Sequence, residues 1–149
     1  MHTLTPDQLA ELLRQWAAGS YGDEAAVELL IAHDTWLRRG DFVVACVDYD
    51  HDGTHPVAWV DWHAVVPWID DGTRCSASEA RILRLAAELA GVDSGQALLD
   101  LFTSLDDRNS RLVFDAIAHV LTRGRRAEWL TALGGTLVPY DTTTRGRPR

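Results

Sequence analysis

Apolar residues recur at helical spacing along most of this chain, and the polar residues between them carry start and stop signals. Leu9, Leu12, Leu13, Trp16 and Ala17 form one stripe. Ahead of it, Thr5-Pro6-Asp7-Gln8 is a capping box with proline at the first helical position. Leu4 and Leu9 are spaced as a hydrophobic staple, and Gly19 marks the stop. A second helix is expected from Ser20 or Asp23 to about Arg39, with Ala26, Leu29, Leu30, His33 and Leu37 on one face and His33 at the edge of the core.

Residues 42–47 read two ways. Their β-branched content suits a short buried strand, while Asp41 after Gly40 could equally cap a short helix. Residues 57–60 would pair with such a strand across an Asp-Gly turn, and Asp61 would cap a helix from Trp62, bent or ended near Pro67. The second half is helical again. Ser76-Ala77-Ser78-Glu79 is a capping box ahead of Ile82, Leu85, Ala86 and Leu89. Ser94 would open a helix carrying Leu98, Leu101, Phe102 and Leu105. Asp106 or Asp107 would cap the next, lined by Val113, Ile117, Val120 and Leu121, and residues 127–133 would form a last short one. The expected fold is therefore mainly α: a compact bundle of about six helices with at most one small β-hairpin near residues 42–60. Residues 1–140 would form a single helical domain and 141–149 a flexible basic tail.

Trp36-Leu37-Arg38-Arg39, Ala58-Trp59-Val60-Asp61-Trp62, Ser78-Glu79-Ala80-Arg81-Ile82-Leu83-Arg84-Leu85-Ala86 and Leu105-Asp106-Asp107-Arg108-Asn109 resemble blocks of small actinobacterial proteins of unknown function. The resemblance covers most of the chain and implies no activity, so it assigns a role to no residue.

Charge and composition change the picture in one place. Across 149 residues the formal net charge is −8, there are 14 arginines and no lysine, and 46% of residues are hydrophobic against 24% charged. A negative body disfavours non-specific nucleic-acid binding, which needs cations on phosphates. The longest unbroken apolar run, residues 42–47, is far below the ~20 residues a membrane-spanning helix requires. With no secretory signal at the N-terminus, a cytoplasmic location is expected. Cys46 and Cys75 suit reduced, buried thiols rather than a disulfide framework. Residues 41–71 stand apart, with seven aspartates, three histidines, three of the six tryptophans and no cation.

Four chemistries can be read from these patterns. Trp59, Asp61, Trp62, Trp68, Asp70 and Asp71 would form an acidic, indole-bearing surface that anchors a basic partner, another protein. Asp48, Asp50 and Asp52, with His51 and His55, resemble the first half of a calcium loop or a loop of transition-metal ligands, although Trp59 stands where a bidentate glutamate belongs. That would make a divalent cation the one cofactor to consider and a metal-dependent hydrolase the alternative function. His33-Asp34 resembles only one part of the metal-binding set of HD-domain phosphohydrolases, which needs further ligands on neighbouring helices. Arg145-Gly146-Arg147-Pro148, with Arg149, has the make-up of a minor-groove-binding tail, which gives DNA binding as a further alternative. The first reading is preferred: a non-catalytic binding or regulatory protein acting through residues 41–71.

Overall fold

The computed structural model describes residues 4–51 and 54–132. The described residues are 66% helical, with eight α-helices and one two-stranded antiparallel hairpin among them. Helix α1, Pro6–Ala17, starts where the capping box directs. The Thr5 hydroxyl accepts the Gln8 N–H at 3.2 Å, and the Gln8 side chain accepts the Thr5 N–H at 2.9 Å. Leu9, Ala10, Leu13 and Ala17 are buried, whereas Trp16 stays 57% exposed.

Helix α2, Tyr21–His33, is the central element, burying Ala25, Ala26, Val27, Leu29, Leu30 and His33. It ends six residues before the expected Arg39. Asp34 takes the left-handed conformation (φ 56°), its N–H bonds the Ile31 carbonyl, and a 3-10 turn follows over Trp36–Arg38. The break lets Trp36 and Leu37 both enter the core, at 0% and 8% exposure.

Of the two expected structures for residues 42–47, the helix is the one that forms, and the strand lies further along the chain and is mostly exposed. Helix α3 covers Gly40–Cys46 and strand β1 covers Val47–Asp50. Strand β2, Val57–Val60, pairs with it in the register Val47↔Val60, Asp48↔Trp59, Tyr49↔Ala58 and Asp50↔Val57. A lone hairpin is marginal in water. This one is held because Ala58 and Val60 are buried and β2 packs on α1. Helix α4, Trp62–Asp70, runs through Pro67 rather than ending there. The proline forfeits one main-chain bond, but Trp62, Val65 and Ile69 are buried on the helix's inner side.

Helix α5, Ala77–Leu89, begins at the Ser76/Glu79 capping box and packs on α2 and α4. Gly22 of α2 meets it so closely that a Cβ there would collide with the Leu89 carbonyl oxygen. The expected helix from Ser94 is delayed to α6, Leu98–Phe102. Ser94 is fully buried, its N–H donates to Glu88 at 2.8 Å, its carbonyl accepts from Arg84 at 2.7 Å, and Gly95 has φ 72°. Helix α7, Asp107–Leu121, is capped by Asp106 and lies against α2 and α5. Helix α8, Arg126–Ala132, follows with none of its residues buried. Among the described residues no helix is long and apolar enough to cross a membrane.

His33 is 5% exposed, and its Nδ1 has no hydrogen-bond partner among the described residues. Burial lowers its pKa first and Arg108 pushes the same way, against smaller opposing effects of Glu79 and Asp106. A histidine whose folded pKa lies below the unfolded value of about 6.5 binds protons more readily unfolded. Its contribution to stability is therefore complete above that value and is lost as pH falls through the folded pKa. Unfolding titrations between about pH 7.5 and 5 should show stability declining on acidification, with the decline reduced in His33→Leu. Equal declines in both proteins would contradict this assignment.

Candidate functional site: an acidic hairpin beside an indole recess

Residues directly opposed across antiparallel strands share a face, so the register places Asp48, Asp50, Val57 and Trp59 on one side of the hairpin. Asp48, Tyr49 and Asp50 are exposed along β1. The Trp59 ring stacks on Trp16 of α1, with centroids 5.0 Å apart and planes inclined by 29°. The α1 stripe predicts a core position for Trp16 instead. Its partner is remote in sequence, and local periodicity carries no sign of it.

At the foot of the hairpin, α1, α2, β2 and α4 converge on a recess of about 60 Å³ lined by Trp16, Asp23, Trp59 and Trp62, with aliphatic Leu13, Val27 and Val60. Trp62 is buried, and Trp59 and Asp23 are half-buried. Asp23 lies in the first turn of α2, after the Ser20 cap. Its sequence context marks it only as a helix start. The recess joins three tryptophans and one aspartate, and among the described residues its lining contains no cationic side chain.

The other expected surface residues lie in different surroundings. Trp68 is half-buried in an inner aromatic cluster, edge-on to Trp36 at 5.9 Å and Phe42 at 5.6 Å, with the Arg39 guanidinium 5.7 Å from its ring centroid. Arg39 also pairs with Asp41 through two bonds of 3.0 and 2.5 Å. That bonding holds the Asp41 carboxyl below the usual carboxylate range. Asp70 is paired with Arg84, a nearly buried guanidinium. Asp61 accepts the His63 and Ala64 N–H groups at 3.1 and 3.2 Å as the cap of α4. Asp71 is exposed at the end of α4. Arginines from outside residues 41–71 thus neutralise Asp41 and Asp70. Asp48 and Asp50, beside the Trp16–Trp59 stack, receive no side-chain hydrogen bond or ion pair from the described residues.

Of the metal-loop residues, Asp48 and Asp50 share the exposed strand face, His51 and His55 are exposed, and Asp52 lies outside the described residues. Among the described residues, no three histidine, cysteine, aspartate or glutamate side chains are grouped to hold a metal ion. Arg145, Arg147 and Arg149 also lie outside the described residues. An apolar groove of about 220 Å³ lies elsewhere, between α7 and α8, lined by Phe114, Ile117, Leu121, Trp129 and Leu130 with Arg126. It offers contact area rather than chemistry.

No family model, curated protein or solved structure matches this chain. A functional reading therefore rests on the geometry and charge of the hairpin and the recess.

Proposed function

We propose that the chain is a non-catalytic binding protein, an adaptor, regulator or inhibitor, whose hairpin surface docks a cationic segment of another protein. The observation that carries this reading is the pairing of an accessible Trp16–Trp59 stack with Asp48 and Asp50 on the adjoining strand, which no described residue neutralises. Indoles supply large, rigid contact area, and a rim of one charge sign steers and selects an oppositely charged partner. The elements beneath are fixed by the core, so little ordering cost accompanies docking. A net charge of −8 supports a basic protein segment over nucleic acid, whose phosphates would be repelled.

The test is binding of an arginine- and lysine-rich peptide, measured by fluorescence anisotropy at two salt concentrations. Two exposed charge pairs, at roughly 0.2–1 kcal/mol each, correspond to about a twofold to thirtyfold loss for Asp48→Asn/Asp50→Asn at low salt. The loss should shrink as salt screens the surface. Neutralising Asp100 and Glu128, exposed acids on α6 and α8, should leave affinity nearly unchanged. Equal losses from both double variants would reduce the interaction to net charge and remove the hairpin from it.

A further inference from the structure

We propose that the recess among Trp16, Asp23, Trp59 and Trp62 binds one alkylammonium group, the head of a lysine side chain of the docked partner. The inference rests on the hairpin reading above and specifies the group that its surface takes in. Three tryptophans, two of them stacked on each other, and one aspartate line the same small space. An indole face attracts a cation through its quadrupole, and a partly desolvated carboxylate adds a full opposite charge. Asp23 is half-buried, and no described side chain donates a hydrogen bond to its carboxylate, so it keeps acceptor capacity for an incoming ammonium.

Size selects among cations. A volume of about 60 Å³ suits a compact ammonium, whereas a guanidinium is a wide planar fork that needs two parallel acceptors to use its geometry. The aliphatic lining from Leu13, Val27 and Val60 can receive the methylene stem behind the charged head. Primary and methylated ammonium groups share this chemistry, and the experiment separates them.

The full chain is titrated with butylammonium, tetramethylammonium and guanidinium chlorides and with neopentyl alcohol, a neutral probe close in size to tetramethylammonium. Indole fluorescence and the indole N–H resonances report binding. A saturable response to one of the two ammonium probes is expected, with no comparable response to the alcohol. The better probe then distinguishes a primary from a methylated head. Asp23→Asn should weaken that binding by about tenfold or more, since a hydrogen bond to a charged group is at stake. Trp16→Leu should weaken it by about twofold to thirtyfold, and because Trp16 is exposed this variant should keep its fold.

An equal response to the neutral probe, or unchanged binding in both variants, overturns the proposal. The hairpin reading is judged separately. If the ammonium probes fail while the basic peptide still depends on Asp48 and Asp50, only the recess falls. If the recess binds ammonium while the peptide ignores those aspartates, the hairpin reading falls instead.

Discussion

Trp36→Ala should lower the unfolding free energy by about 3–5 kcal/mol, the range for emptying a buried tryptophan site. Trp36 is fully buried. Its ring lies 5.6 Å from Phe42 and 5.9 Å from Trp68, and the Arg39 guanidinium sits 5.1 Å from its centroid. These contacts tie the turn after α2 to α3 and α4, so the cavity would open where three elements meet. Compensating collapse is hindered because each neighbour is itself held by its own helix. Urea unfolding of the two proteins measures the difference as a lower midpoint at a similar slope. A cost below about 0.5 kcal/mol, the usual size of a surface change, would show that Trp36 does not join these elements as described. The same loss should disturb the recess, because α4 carries Trp62 as well as Trp68.

Arg84→Met should have the second-largest effect, about 1–3 kcal/mol, and the reason lies with the partner it abandons inside the protein. Arg84 donates to the buried Ser94 carbonyl at 2.7 Å and also pairs with Asp70. Methionine keeps most of the buried stem but leaves that carbonyl without its donor. The Asp70 side chain is 58% exposed, so water can replace the guanidinium there. Asp70→Asn should accordingly cost under about 1 kcal/mol, as exposed ion pairs do. Thermal or urea unfolding of both variants tests the asymmetry. Equal costs would place the value of Arg84 in its ion pair rather than in the loop it anchors.

The parts of the fold governed by neighbouring residues are legible in the sequence. Thr5 with Gln8, Ser76 with Glu79, Asp61 and Asp106 all start helices where their side chains can reach free N–H groups, and the structure shows each of them bonded in that way. Residues 57–60 read as a strand because β-branched residues and Trp59 follow a turn-forming stretch. The end of α2 is not legible. Nothing in the residues around Asp34 announces a left-handed cap, which depends on how Trp36 and Leu37 enter the core. The delayed start of α6 has a similar origin, since Ser94 is held by Glu88 and Arg84 from an earlier helix.

The acidic tryptophan-rich stretch is visible as composition, but its division is not. Strand alternation sets Trp59 beside Asp48, while the helical period of α4 turns Trp62 into the recess lining and Trp68 toward Trp36. Arg39 and Arg84 neutralise Asp41 and Asp70 through contacts that only folding creates. Trp16 and Asp23, from the first two helices, complete the recess. Neither lies in the stretch where acids and indoles concentrate, and neither carries a local motif.

One titration tests the central claim most directly: a lysine- and arginine-rich peptide added to isotope-labelled protein, with indole N–H and backbone amide resonances followed by NMR. A docking surface on the hairpin requires saturable, salt-sensitive shifts concentrated on Trp16, Trp59 and the amides of β1. Shifts spread evenly over the exposed acids of α6 and α7, or centred on the α7–α8 groove, would contradict it.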